Sequence, residues 1–130
     1  MSVRSAGLAT YAKSSATTAS PQEIVRMAYA RVITACDRAE LAELEEGPDW
    51  MQVFHDETIR AQAILAELMT GLAVNHPSPD VVALSMQFDS LYTYAIQELV
   101  RANTLKSADP IPAVRMVVEG LRDAWVTAVR

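Results

Sequence analysis

The sequence predicts an all-α fold, an antiparallel four-helix bundle with an extended or mobile N-terminal leader. The chain has 130 residues, of which 51% are hydrophobic, and it contains only four glycines and six prolines. This length fits one domain, and sparse glycine with few aromatic residues favours helix over sheet. Four segments repeat apolar residues at i, i+3, i+4 and i+7, which is the pattern of amphipathic helices.

Helix-breaking residues divide the chain into these segments. The breakers are Ser20-Pro21, Gly47-Pro48-Asp49, His76-Pro77-Ser78-Pro79 and Asp109-Pro110-Ile111-Pro112. Between them lie segments long enough for one helix each, and short connections between helices indicate antiparallel neighbours. We therefore expect a leader over residues 1–19 and a bundle domain over residues 20–130.

The first helix is expected to begin at Ser20. A serine N-cap followed by Pro21 and then by Glu23 has the pattern of a capping box with proline at the first helical position. Its predicted buried residues are Ile24, Val25, Ala28, Tyr29, Val32, Ala35, Cys36 and Ala39. Many of these side chains are small, so a neighbouring helix can approach closely.

The second helix is expected to open at Pro48 or Asp49, directly after the glycine of the first connection. Its predicted buried residues are Trp50, Met51, Phe54, Ala61, Ile64, Leu65, Leu68, Met69 and Leu72. They follow helical spacing along the whole segment.

Ser78 and Pro79 open the third helix in the same way as the first. Its predicted buried residues are Val81, Leu84, Phe88, Leu91, Tyr92, Ala95, Leu99 and Ala102. This apolar arc is wider than the stripe of an ordinary surface helix, and residues 73–100 contain no lysine or arginine. Two interpretations stay open: packing against two neighbours, or a groove for a partner, which Tyr94 favours because it projects away from the main arc.

Asp109 or Ile111 is expected to open the fourth helix. Its predicted buried residues are Val114, Val117, Val118, Leu121, Ala124, Trp125, Ala128 and Val129. Their spacing again fits one helical face, which completes the four elements of the bundle.

The charge balance excludes several classes of protein. Sixteen acidic and eleven basic residues give a net charge of −5, and no basic stripe suits a nucleic-acid partner. No apolar run reaches the roughly 18 residues of a membrane span, and the N-terminus lacks the apolar region of a secretory signal. The single cysteine, Cys36, fits a reducing compartment. We expect a cytoplasmic protein with no direct membrane insertion and no nucleic-acid partner.

No arrangement of residues indicates catalysis, a cofactor or a metal. Neither His55 nor His76 follows a glutamate at the spacing that di-metal bundles use, so both are interpreted as solvated histidines. The acidic pairs Asp56-Glu57 and Glu45-Glu46 are interpreted as solvated charges. Glu57 nevertheless lies close to the apolar arc, where either pairing with an arginine or lining a cavity stays open. We expect no enzyme and no cofactor.

Tyr11 is an isolated aromatic residue in the polar leader. A lone aromatic residue in such a segment usually has no role. It could also dock into an apolar groove of the same molecule and cover that groove until a partner displaces it.

Seven stretches in order carry a resemblance to a known family. They are Tyr11, Thr18-Ala19-Ser20-Pro21 with Glu23, Ile24-Val25-Arg26-Met27-Ala28-Tyr29, Glu67-Leu68-Met69-Thr70-Gly71-Leu72, Leu91-Tyr92-Thr93-Tyr94, Leu99-Val100-Arg101-Ala102-Asn103 and Leu121-Arg122-Asp123-Ala124-Trp125. No single motif is specific, but their order and spacing together are. Across nearly its full length the chain resembles the flagellar secretion chaperone FliS family.

This resemblance implies a cytoplasmic export chaperone that binds the disordered C-terminal region of flagellin, prevents premature polymerisation and keeps flagellin competent for export. It also implies docking at the flagellar export gate and a leader that covers the groove, while a homodimer stays open. The partner-binding residues expected on this basis are Tyr11, Ile24, Met27, Tyr29, Leu91, Tyr92, Tyr94, Leu99, Asn103 and Trp125.

Two other functions stay open. The first is a divergent paralogue that serves another flagellar export substrate or a regulator, because Ala28, Arg31 and Trp50 depart from the family pattern. The second is a small enzyme or ligand carrier with a cavity near His55 and Glu57.

Overall fold

The computed structural model describes residues 20–72 and 75–128. These residues form four α-helices, and the described part contains no strand. The helices are α1 (Pro21–Glu45), α2 (Trp50–Thr70), α3 (Pro79–Leu105) and α4 (Ile111–Ala128). The predicted four-helix fold is confirmed, whereas the predicted leader with Tyr11 lies outside the described residues, as does Val129.

The serine caps anticipated for two helices are present. The Ser20 hydroxyl oxygen accepts the backbone N–H of Glu23 at 3.1 Å, and Pro21 occupies the first turn of α1. At the start of α3, Ser78 accepts the N–H of Val81 at 3.5 Å. Each bond satisfies one of the backbone donors that a helix leaves unpaired at its N-terminus, which fixes where the helix begins.

Each helix packs against two neighbours, α1 and α3 both lying between α2 and α4. This ring is the arrangement expected when short connections join successive antiparallel helices. Side chains from all four helices fill its centre. The fully buried large residues are Tyr29, Phe54, Leu65, Leu99, Ile111 and Leu121.

Five residues predicted to be buried are exposed. They are Met51, Leu84, Leu91, Ala124 and Ala128. Each helix of a four-membered ring turns only the sector between its two neighbours towards the core, and the predicted arcs were wider than that sector. The consequence is largest on α3, where two leucines reach solvent.

Polar contacts join α1 to α4 and to the turn before α4. The Arg115 guanidinium donates to the carboxylates of Asp37, at 2.7 Å, and Glu40. These hydrogen bonds, that with Glu40 foremost, raise the pKa of Arg115. The Glu43 carboxylate accepts the backbone N–H of Ala108. These contacts set the register of α4 along α1.

Cys36 lies in the core on α1, as its position in the apolar arc predicted. Burial is the main cause that raises its pKa to about 12, so the thiol stays protonated at neutral pH. Cys36 therefore acts as a small apolar side chain.

Within residues 20–72 and 75–128, no helix combines the length and the apolar character that crossing a bilayer requires.

Candidate partner-binding surface

A row of exposed apolar side chains runs along the outside of α3. Leu84, Leu91, Tyr94 and Leu105 are 52%, 40%, 44% and 61% exposed, and we call these four residues the α3 flank. Steps of seven, three and eleven residues are close to whole turns of an α-helix, so the four side chains share one side. An apolar row of this length is unusual for a surface helix and is typical of an interaction site.

Helical geometry places the α3 flank on the side towards α4. Asn103 contacts α2 through His55. Tyr94 lies nine residues, or two and a half turns, from Asn103, so Tyr94 is on the side of α3 away from α2. On α4, Ala124 lies nine residues beyond Arg115, which contacts α1, so Ala124 is on the side towards α3. Ala124 and the neighbouring Gly120 are small and exposed, and a Cβ added to Gly120 would meet no atom within 4 Å.

The α3 flank carries few charges, and its C-terminal half borders Arg101 and Lys106. Residues 73–100 contain Asp80, Asp89 and Glu98 but no basic residue. The carboxylate of Glu98 accepts a hydrogen bond from Arg101 at 2.7 Å, which neutralises it locally. The surface therefore suits an apolar partner rather than a highly charged one.

Three of the residues predicted for partner binding lie in the core. Tyr29, Tyr92 and Leu99 are 1%, 2% and 0% exposed. The hydroxyl groups of Tyr29 and Tyr92 form a hydrogen bond of 2.5 Å across the diagonal between α1 and α3. Burial is the main cause that raises the pKa of both tyrosines. A partner on the closed bundle does not reach these side chains.

Asn103 takes part in a polar contact between α2 and α3. Its amide oxygen accepts from Lys106 Nζ at 2.6 Å, so its amide nitrogen is left to donate to Nδ1 of His55 at 3.0 Å. The prediction that His55 is a solvated histidine is wrong, because the side chain is half-buried against α3. His76 is exposed in the connection before α3, as predicted.

The remaining predicted binding residues lie near the start of α1. Met27 is exposed, Ile24 is half-buried, and the half-buried Trp125 donates from its indole nitrogen to the carbonyl oxygen of Gln22 at 3.1 Å. The structure thus brings Leu91 and Tyr94 together on the α3 flank and places Ile24, Met27 and Trp125 elsewhere. Leu84 and Leu105 were missed as surface residues, although their near-integral-turn spacing from Leu91 was a usable signal.

Glu57 is buried, so its interpretation as a solvated charge is wrong. It accepts a hydrogen bond from Arg60 at 2.9 Å, which agrees with the arginine pairing left open by the sequence. Asp56 is exposed, as predicted. In the described residues no three His, Cys, Asp or Glu side chains are grouped so that they could hold a metal ion.

Fold and surface together define a small helical bundle with an apolar flank on one helix. The family model described as Flagellar protein FliS matches residues 4–130. A relative, the flagellar secretion chaperone FliS of Campylobacter jejuni subsp. jejuni serotype O:6 (strain 81116 / NCTC 11828), is 32% identical over 115 residues, which cover 88% of this chain and 84% of the relative. The chain belongs to the FliS family of flagellar secretion chaperones.

Proposed function

We propose that this chain binds the C-terminal segment of flagellin in the cytoplasm, prevents its premature polymerisation and keeps it competent for export. The observation that carries the proposal is the α3 flank, which leaves Leu91 and Tyr94 exposed beside small residues on α4. Membership of a flagellar secretion chaperone family supports an export substrate as the partner.

The chemistry of the flank suits reversible capture of an apolar segment. Leu84 and Leu91 are two turns apart, so they can meet apolar side chains repeated along one face of a partner helix. A disordered segment loses conformational entropy when it becomes ordered on the chaperone, which offsets part of the energy from apolar burial. The client is therefore held without being trapped, as export requires.

The proposal extends to the leader and to the export machinery. Residues 1–19 form a separate leader, in which Tyr11 covers the α3 flank while flagellin is absent. Tyr11 and Ser20 are nine residues apart, and nine extended residues span about 30 Å, enough to reach from the start of α1 across the bundle. Once flagellin has displaced the leader, the loaded chaperone docks at the export gate.

Calorimetric titration with the last forty or so residues of flagellin from the same organism tests the proposal. We expect one-to-one binding with a large negative heat-capacity change, the mark of apolar burial. The double variant Leu91→Ala/Tyr94→Ala should weaken binding by about tenfold or more, since interface anchors commonly contribute above 1 kcal/mol each. Leu44→Ala on α1 is the matched control, because Leu44 is also an exposed leucine.

The outcomes separate the function from the surface. A folded native protein that does not bind the peptide would contradict flagellin as client, and a different flagellar export substrate would become the leading candidate. Binding that the control variant weakens as much as the double variant would instead contradict the α3 flank as the site.

A further inference from the structure

An apolar pocket lies at the end of the α1–α2 hairpin, far from the α3 flank in the ring of helices. Its volume is about 390 Å³. Leu41 from α1, Pro48 from the connection, and Trp50 and Val53 from α2 supply its apolar lining. We call it the hairpin pocket. It is large enough to receive one bulky side chain together with part of the chain that carries it.

The hairpin pocket has one wall that packs on the core and two side chains that are exposed to solvent. The Trp50 ring packs edge-to-face on the buried ring of Phe54, with centroids 6.1 Å apart and planes at 82°, so the pocket wall is held by the core. Leu41 and Val53 remain exposed on either side of it. Exposed aliphatic walls beside a held indole ring resemble the pockets that receive an anchor residue at protein interfaces.

The rim of the hairpin pocket is acidic. Glu45 and Asp49 lie among its lining residues, with Arg38 as the one basic group there. Glu46 follows Glu45 and is also exposed. Among the contacts of the described residues, none of these three carboxylates forms an ion pair. The rim thus carries a net negative charge directly beside an apolar pocket.

The backbone of Glu46 marks the end of α1. Glu46 adopts the left-handed conformation, with φ 47° and ψ 44°, at the end of α1, where its N–H donates to the carbonyl oxygen of Ala42. Glycine or asparagine occupies this position at lower conformational cost. Lys106 adopts the same conformation at the end of α3, so both helices end in a left-handed residue.

The pocket belongs to the face opposite the α3 flank. It lies between α1 and α2, whereas the flank borders α4, and α1 and α3 are diagonal in the ring. A segment bound along the α3 flank therefore leaves the hairpin pocket open.

We propose that the hairpin pocket is a second protein-docking site, whose occupant is a segment carrying a bulky apolar side chain next to lysine or arginine. The apolar side chain fills the pocket beside Trp50, and the basic group lies against Glu45, Glu46 and Asp49. Charge complementarity selects this partner over acidic segments. The chaperone can then hold its client on one face and a second protein on the other.

Nuclear magnetic resonance of the indole N–H groups tests this site in the full chain. The sequence has two tryptophans, so Trp50 reports on the pocket and Trp125, near the start of α1, is an internal control. The probe is a synthetic 14-residue helical peptide with phenylalanine and leucine on one face, flanked by arginines. A second peptide has glutamates in place of the arginines. We expect the arginine peptide to shift the Trp50 resonance saturably and to bind about tenfold more tightly at low salt.

Variants test which carboxylates cause the preference for the arginine peptide. The triple variant Glu45→Gln/Glu46→Gln/Asp49→Asn should remove the preference for the arginine peptide, and Val53→Ser should weaken both peptides. Asp56→Asn is the matched control, because Asp56 is an exposed carboxylate on α2 that does not line the pocket. Its effect on the preference should be less than twofold.

Other results overturn the proposal. Equal binding of the two peptides, or a response at Trp125 and not at Trp50, would show that the pocket is not an acidic docking site. A Trp50 shift caused by Tyr11→Ala without peptide would assign the pocket to the leader, and a shift on concentrating the free protein would assign it to a second copy. Competition between the arginine peptide and bound flagellin peptide would contradict a separate site. Apart from the competition, none of these outcomes depends on whether flagellin is the client.

Discussion

The two sides of α3 are similarly apolar and have different environments. On the inner side Tyr92, Ala95 and Leu99 are in the core, whereas on the outer side Leu91 and Tyr94 reach solvent. Leu91 and Tyr92 are adjacent in the sequence, as helical geometry allows, because successive residues point 100° apart. Hydrophobicity alone therefore does not decide which face of a helix is core and which is left for a partner.

The two sides of α3 also differ in whether their tyrosine hydroxyl groups have a hydrogen-bond partner in the protein. The hydroxyl of Tyr92 is paired with that of Tyr29 inside the core, while the described contacts include no hydrogen bond to the hydroxyl of Tyr94. A buried hydroxyl needs a partner within the protein, whereas an exposed one is served by water or by a bound molecule. The hydroxyl group on the inner side of α3 is therefore bonded within the protein, whereas the one on the outer side can bond to a partner.

The largest expected effect is on the inner side. Leu99→Ala should lower the free energy of unfolding by about 2–5 kcal/mol, because it leaves a cavity around a fully buried site. Urea unfolding followed by circular dichroism measures this. At temperatures where the variant is folded, its affinity for the flagellin peptide should stay within about twofold of the native value. A large loss of affinity with little loss of stability would show that Leu99 contacts the partner after all.

The pair of buried tyrosines should give the next largest effect. Tyr29→Phe or Tyr92→Phe alone leaves one buried hydroxyl without its partner and should lower the free energy of unfolding by about 1–3 kcal/mol. The double variant should cost less than the sum of the two, because no unpaired hydroxyl remains. Strict additivity in urea unfolding of all four proteins would indicate that the hydrogen bond does not couple α1 to α3.

Alkaline pH should destabilise the protein through the same pair of tyrosines. Burial raises the pKa of Tyr29 and of Tyr92 in the folded state, so folded protein retains protons that unfolded protein releases. The contribution of the two tyrosines to stability is therefore fully present below about pH 10, the ordinary tyrosine value. It falls as the pH rises above that value, by up to about 1.4 kcal/mol per pH unit and tyrosine. The raised pKa of Cys36 adds a similar loss from about pH 9.

The variant Tyr29→Phe/Tyr92→Phe separates these contributions. Its free energy of unfolding should fall less steeply than that of the native protein between pH 10 and 11, while Cys36 contributes equally to both. Identical slopes in urea titrations at these pH values would contradict the tyrosine assignment.

Much of the fold could be predicted from the sequence because its signals are local. Ser20 with Pro21, and Ser78 with Pro79, mark helix starts through bonds made within one turn. The periodic apolar residues then define four helices. What the pattern could not show is how wide a sector each helix buries, because that depends on which helices become neighbours; Leu84 was misjudged for this reason.

The candidate sites were harder to predict because they depend on contacts between distant residues. Tyr29 and Tyr92 were assigned to partner binding, yet they are 63 positions apart and satisfy each other in the core. His55 likewise finds Asn103 across 48 positions. The sequence did single out Tyr94 and the stretch without basic residues before Arg101, because the lack of a residue type is visible without knowing the fold. It did not indicate the hairpin pocket, which forms only when α1 and α2 meet.

The smallest expected change in stability is on the outer side of α3. Leu84→Gln and Leu105→Gln should each change the free energy of unfolding by less than about 0.5 kcal/mol, because both side chains are more than half exposed. Urea unfolding measures this, with Leu99→Ala as the buried comparison. A loss above about 1.5 kcal/mol in either variant would show that the leader packs firmly over these leucines in the free protein rather than covering them loosely. Leu84→Gln combined with Tyr11→Ala tests the proposed leader cover: non-additive losses would support contact between the leader and the flank, and additive small losses would contradict it.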